Sequence, residues 1–200
     1  MLIFGKKQYK SKSQEELIQL AQQDDLDAVE ELVKRNQQSV YASFYYLNSD
    51  CTDILDLTQE ALLKMAKNIK KLKEPQKFKA WLNQIVTRLF YDNIRSKSRK
   101  LQTVPIDKND DENDRFNVTD IPCKECTPEE SSINSELQCI IERSIQKLPD
   151  SFRLAIILRE FQGLSYEEIA EITNTNVGTV KSRIARARTK LQEDLKQYIA

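Results

Sequence analysis

The sequence predicts an all-α fold: two helical domains joined by an acidic flexible linker. Glycine (3) and proline (5) are scarce among the 200 residues, and a many-stranded fold needs both for its turns. Charged residues are interspersed with Leu, Ile and Ala, a composition that favours helices. Apolar residues recur at helical spacing in the first hundred residues and in the last third, with no period between.

Taken in order, Gln14 to Gln23 carries Leu17, Leu20 and Ala21 on one face. Asp27 to Leu47 carries Ala28, Val29, Leu32, Val33, Val40, Tyr41 and Phe44. Thr52 to Ile69 carries Leu55, Leu62, Ala66 and Ile69. Pro75 then forces a loop around Lys73 to Lys77. Trp81 to Ile94 presents Trp81, Leu82, Ile85, Val86, Leu89 and Phe90, a face broad enough for the inside of a bundle. Leu101 to Ser132 is rich in Asp, Asn, Glu and Pro; no packed core can be built from it, and it is expected to be disordered alone. Ser135 to Lys147 is helical again, through Leu137, Ile140, Ile141 and Ile145. Pro149 can start the next helix, which runs to Phe161 before Gly163 ends it. The domains are accordingly drawn at 14–100 and 133–200, with the linker at 101–132.

The formal net charge is zero, but the charge is segregated. Lys64 to Lys100 holds twelve Lys or Arg against Glu74 and Asp92, a local +10. Pro105 to Glu136 holds ten acids against Lys108, Arg115 and Lys124, a local −7. Asn176 to Lys190 holds five cations and no acid. Such blocks speak about partners rather than fold. No apolar run approaches the ~20 residues of a membrane helix, and Met1 to Phe4 is too short for a signal-peptide core. The four cysteines are therefore expected as thiols in a reducing cytoplasm.

The last third carries the sharpest local signal. Ser165-Tyr166-Glu167-Glu168 has the form of a capping box, in which Ser165 accepts the amide of residue 168 and Glu168 reaches back. The helix continues through Ile169, Ala170 and Ile172, and Asn174 stands where a tight turn requires positive φ. A second helix begins near Asn176, turning Val177, Val180, Ile184 and Leu191 inward. Thr179, Lys181, Ser182, Arg183, Arg186 and Arg188 are left for outward faces. A major-groove reader is built this way: a small residue such as Ala170 lets two helices cross, the first turn of the second helix meets base edges, and later cations meet phosphates. A good bidentate base contact discriminates by roughly 1–3 kcal/mol. The plainer reading is a charged, solvated terminal helix.

The run from Leu158 to Ala170, continued by Val177 to Ile184 and by Arg186-Ala187-Arg188, resembles region 4 of the extracytoplasmic-function (ECF) branch of the sigma-70 family of bacterial RNA polymerase sigma factors. The resemblance implies a helix-turn-helix that reads the −35 promoter element through Asn176, Thr179, Lys181, Ser182, Arg183 and Arg186. It also implies that the preceding helices bind the flap of the polymerase β subunit. Asn176 often corresponds to a Pro in relatives, Thr173 to an apolar residue and Ala185 to a bulkier one, which bears on the −35 sequence preferred.

In the first domain, Asp56, Gln59 and Glu60 lie within three to four residues and share a helix face. The segment Asp56-Leu57-Thr58-Gln59-Glu60-Ala61 resembles the family's region 2 signature, which implies docking on the β′ coiled coil of core polymerase through Asp56, Gln59, Glu60 and Leu63. A metal site from Asp53, Asp56 and Glu60 and a merely solvated acidic face are the rival readings. Phe78-Lys79-Ala80-Trp81-Leu82, followed by Arg88, Tyr91, Asp92 and Arg95, also resembles region 2 and implies −10 recognition and melting by Lys73, Lys77, Lys79, Arg88, Tyr91 and Arg95. Opening a base costs a few kcal/mol, and an aromatic face returns about 1–3 kcal/mol per stacked base. Trp81 and Phe90 read better as core residues. Arg88 stands where many relatives carry Asn, and brings a fixed charge with five donors in place of a short amide.

The resemblance further implies a linker threading polymerase channels, where its acids would imitate nucleic-acid phosphates; a solubilising spacer is the alternative. Cys123-Lys124-Glu125-Cys126 lacks the further ligands of a structural zinc site, because there is no histidine and only Cys51 and Cys139 remain. No catalytic residue, cofactor or metal is expected. The implied partners are the β and β′ subunits of core polymerase, promoter DNA and an anti-sigma factor, which can hold an otherwise cytoplasmic protein at the membrane without its insertion. Three rivals remain: a dimeric helix-turn-helix regulator, a sigma-like adaptor or decoy, and a metal-dependent nuclease. The first would need a strand-bearing receiver domain, which the first hundred residues lack.

Overall fold

The computed structural model describes residues 9–47, 53–102 and 133–199. All regular elements among them are helical. They are α1 (Gln14–Gln22), α2 (Leu26–Leu47), α3 (Ile54–Asn68), α4 (Phe78–Gln102), α5 (Ile133–Gln146), α6 (Asp150–Ile156), α7 (Tyr166–Thr173) and α8 (Val177–Ile199). Most of the expected linker, Cys51 and the Cys123–Cys126 pair lie outside the described residues.

Local chemistry sets the helix starts. Ser13 and Glu16 form a reciprocal cap on α1: the Glu16 amide donates to Ser13 Oγ at 3.2 Å and the Ser13 amide to Glu16 Oε2 at 2.7 Å. Asp25 receives the Ala28 amide at 3.0 Å and the Tyr9 hydroxyl at 2.8 Å, and so caps α2. Gln22 Nε2 donates to the carbonyls of Ile69 (3.1 Å) and Leu72 (2.7 Å), tying α1 to the chain that leaves α3. Short 3₁₀ turns at Ile69–Lys71 and Pro75–Lys77 make the connection to α4, with Pro75 at a turn start where its missing N–H costs nothing.

Helices α1 to α4 enclose Leu17, Ile18, Leu32, Phe44, Leu47, Met65, Phe78 and Phe90, and α6 to α8 enclose Leu154, Ile157, Leu158, Ile169, Val180, Ile184 and Ala187. Each fully buried aliphatic or Phe side chain stabilises by about 1.5–3 kcal/mol relative to exposure. Phe90 is core, as the sequence predicts. Leu55 is not: it is 64 % exposed, because the inward stripe of α3 is Ile54, Leu57, Thr58, Ala61, Leu62 and Met65, one residue out of phase with it. Tyr41, expected inward, is 39 % exposed and stacks on Tyr45 with ring centroids 6.3 Å apart.

The expected helix from Pro149 to Phe161 is α-helical only to Ile156 and then widens into a π-helical turn over Ile157–Phe161. Gly163, at φ +63°, reverses the chain so that the Leu164 amide reaches back to the Leu158 carbonyl at 3.1 Å. Arg159 Nη1 donates to the Leu164 carbonyl at 2.7 Å and holds that reversal. Only Gly adopts such a φ without steric cost.

The two bundles are packed together. Arg153 on α6 donates from Nη1 to the Leu47 carbonyl at the end of α2, and from Nη2 to the carbonyls of Gln146 and Leu148, each at 2.8 Å. Burial lowers the pKa of this guanidinium from its ordinary value, opposed by Asp150 at 3.4 Å.

Candidate nucleic-acid interface

Helices α7 and α8 form a helix-turn-helix whose turn follows from three residues. The Glu168 amide donates to Ser165 Oγ at 3.1 Å and the Ser165 amide to Glu168 Oε2 at 2.7 Å, completing the expected box. Asn174 adopts φ 50° and ψ 50°, and the Thr175 amide then reaches the Ala170 carbonyl at 3.0 Å to close the C-terminus of α7. Asn176 accepts the Thr179 amide at 2.7 Å on its Oδ1. Its carbonyl oxygen is thus the N-cap of α8, a role the sequence reading did not assign to it.

Along α8 the core positions are Val180, Ile184 and Ala187. At 100° per residue, Thr179, Arg183, Arg186 and Lys190 lie together on one flank, with Ser182 beside them. Lys181 and Arg188 fall on the opposite flank and are engaged within the domain. Lys181 Nζ stands 5.8 Å from the centre of the Tyr166 ring, whose face also meets the Arg159 guanidinium at 4.7 Å. Arg188 pairs with Glu160 at 2.6 Å, which raises its pKa and ties α8 to the π-helical turn.

In the first bundle, Trp81, Gln84, Arg88, Tyr91 and Arg95 form a stripe along α4. They line two adjoining crevices. The first, of about 200 Å³, is bounded by Lys71, Lys73, Lys77, Trp81 and Gln84. The second, of about 440 Å³, is bounded by Gln84, Thr87, Arg88, Tyr91 and Arg95. Five of the six residues expected at the −10 element thus come together, whereas Lys79 lines neither crevice. Trp81 joins its edge to the first crevice while packing on the core, with its ring 5.9 Å from that of Phe78. The opposite walls belong to α7: Glu168, Glu171 and Ile172 in the first crevice, Glu171 to Asn174 in the second. Lys77 is bonded to Glu74 at 3.0 Å; this bond, with a smaller pull from Glu171, holds its pKa above the ordinary value. Burial raises the Tyr91 hydroxyl pKa, against the opposing field of Arg183.

Gln84 and Lys71 were missed in the sequence. Gln84 was findable, four residues before Arg88 on the same helix face. The α7 wall had no local signal, since it arrives from another domain.

On α3, Asp56, Gln59, Glu60 and Leu63 all face solvent, Leu63 at 57 % exposure. Leu55, Gln59 and Leu63 follow one another at four-residue intervals, so two bare leucines flank the polar group. Glu60 pairs with Lys64 at 2.8 Å, and Asp53 with Lys97 at 3.2 Å.

No described helix is long and apolar enough to cross a membrane. Residues 32–100 match the Sigma-70 region 2 family and residues 140–191 match Sigma-70, region 4. The chain is 35 % identical over 179 residues to the ECF RNA polymerase sigma-E factor of Haemophilus influenzae, covering 90 % of this chain and 93 % of that protein. It is 33 % identical over 170 residues to the ECF RNA polymerase sigma factor SigE of Mycolicibacterium smegmatis, covering 84 % of this chain and 62 % of that longer protein. Among solved structures, the sigma factor RpoE of Bartonella quintana, crystallised with the anti-sigma factor NepR, superposes with a TM-score of 0.62 at 27 % identity, covering 84 % of this chain and 96 % of that one. Two sigma-70 regions, a helix-turn-helix with a basic second helix and a basic stripe on the partner bundle together place the chain in the family of ECF RNA polymerase sigma factors, the subunits that give the polymerase its choice of promoter.

Proposed function

We propose that the division of labour in this sigma factor follows the three surfaces just described. Residues 14–100 bind core polymerase and read the −10 element, residues 133–200 read the −35 element, and 101–132 link them. Helix α8 enters the major groove with Thr179, Ser182, Arg183 and Arg186, while Asn176 fixes the first turn and Lys181 supports its rim. The Trp81–Arg95 stripe and the Lys73–Lys77 loop hold the opened −10 strand by stacking and phosphate contact. Asp56, Gln59, Glu60 and Leu63 dock on core polymerase. The chain performs no chemistry itself and works in the cytoplasm. An anti-sigma factor is the expected inhibitor, in line with the NepR complex of the similar RpoE.

The observation that carries this reading is the exposed α3 face, where Leu55 and Leu63 stand bare at 64 % and 57 % beside Asp56, Gln59 and Glu60. Leucines exposed next to a polar group suit a partner surface better than water. Run-off transcription with purified core polymerase on promoter fragments tests the reading. The chain should confer initiation that core alone lacks, and an Arg183→Ala, Arg186→Ala double variant should lose −35 dependence while still binding core. If the chain binds core yet never directs initiation, it is an adaptor instead.

A further inference from the structure

The second crevice holds hydrogen-bonding groups that the fold leaves unused. Among the described residues, the Arg88 guanidinium and the Gln84 amide, one turn apart on α4, have no hydrogen-bond or ion-pair partner. Thr87 lines the same crevice at 3 % exposure, and its hydroxyl is buried without a partner. A buried polar atom left so calls for a physical reason, and a ligand supplies one. The half-buried Tyr91 ring, 5.6 Å from that of the core residue Phe90, adds an aromatic face.

The charges of the lining choose the class of ligand. Arg88 and Arg95 are opposed by Asp92 and Glu171, and Arg95 already stands 3.8 Å from Asp92. Two cations against two acids give no net attraction for a phosphate. A flat, neutral heterocycle with its own donors and acceptors suits such a lining better. The crevice volume of about 440 Å³ falls within the ~300–1,000 Å³ of small-ligand pockets. Arg88 then selects among the bases, because its guanidinium offers a fork of donors and no acceptor. Guanine alone sets two acceptors, O6 and N7, side by side on its major-groove edge. Adenine sets a donor beside one acceptor there, cytosine a donor, thymine one acceptor. The next edge of guanine carries N1–H and N2–H donors. The side-chain oxygen of Gln84 and the Glu171 carboxylate across the crevice are acceptors for them.

We infer that this crevice is a site for one unstacked guanine base, selected by Arg88, backed by Gln84 and Glu171, and stacked on Tyr91. The base has two sources, the opened −10 strand and a free guanine nucleotide. The first rests on the proposed −10 reading; the second does not.

The experiment has an arm for each source. In the first, holoenzyme assembled from core polymerase and this chain initiates on a pre-opened promoter whose non-template −10 strand is randomised, and the productive templates are sequenced. Wild type should enrich guanine at one position by roughly tenfold, the discrimination of a bidentate base contact. Arg88→Lys keeps the charge without the fork. It should lose that enrichment and keep selection at the other positions. Arg88 is exposed, so the substitution leaves the fold intact, which an unchanged far-UV spectrum checks. In the second arm, equilibrium dialysis compares GMP with AMP on the free chain and on the variant. Saturable binding of GMP but not AMP, lost in Arg88→Lys, assigns the site to the free nucleotide. Selection at other −10 positions, with no Arg88-dependent guanine and no GMP binding, overturns the site and spares the −10 reading. Adenine enriched at the Arg88-dependent position also overturns it, since Gln84 would then be the reader. Absence of selection at every position counts against the −10 reading itself, and the dialysis alone then decides the site.

Discussion

Replacing Arg153 by Met tests how much the two bundles depend on one cation. Met keeps most of the volume and removes only the polar reach, so the change isolates the hydrogen bonds. Arg153 makes three of them to carbonyls, each at 2.8 Å, from a residue only 7 % exposed. Hydrogen bonds to a charged group contribute about 1.5–3 kcal/mol each, a gross loss of roughly 4.5–9 kcal/mol. Against this, removing the ion recovers its burial penalty of several kcal/mol. The Arg153 Nε atom, buried without a partner, enlarges that recovery. The Asp150 pair adds little, because the Asp150 side chain is 49 % exposed. The net cost is about 3 kcal/mol, or about 6–12 °C in Tm for a chain of this size. Urea denaturation followed by circular dichroism and by the fluorescence of Trp81, the only tryptophan, measures it. Both signals should move, since Arg153 holds the end of α2 as well as its own bundle. A loss below about 1 kcal/mol would show that water satisfies those carbonyls equally well, and would refute the reasoning.

Asn174→Val should cost about 1–2 kcal/mol, because a β-branched residue is forced into φ 50°, while Asn174→Gly should be nearly neutral; thermal melts read both. Leu63→Glu should leave the melting curve unchanged and abolish retention of the chain on immobilised core polymerase, since this side chain is 57 % exposed and supports no core. The amide of Ala28 and the hydroxyl of Tyr9 depress the Asp25 pKa, so its contribution is present above the unfolded value of about 3.9 and is lost as pH falls through the lower folded value. Asp25→Asn keeps a neutral cap and should flatten that acid limb in a pH series of urea midpoints.

Features written in a few adjacent residues were legible in advance. The Ser165–Glu168 box, the left-handed Asn174 and the stop at Gly163 each need one local rule, and each stands as expected. The Leu55 error has a local cause too: α3 offers two overlapping leucine phases, and only packing against the other helices selects the one through Ile54 and Leu57. The cap role of Asn176 was concealed because Asn suits a helix start and a base edge equally well. The crevice walls and the Arg153 network were out of reach for a different reason. Glu171 meets Lys77 and Arg153 meets Leu47 across about a hundred residues, and no periodicity reports such a meeting.

The wide turn at Ile157–Phe161 has a consequence for how this chain can vary. A π-helical turn amounts to one residue inserted into an α-helix. Deleting a residue there would restore regular winding and swing everything downstream by about 100°. Phe161 and Gln162 would leave Tyr46 and Ser43, and α8 would present another side of its cylinder to any duplex. The phase between α8 and the first bundle is thus set by a single surplus amino acid, and length changes at that point should be far less tolerated than substitutions.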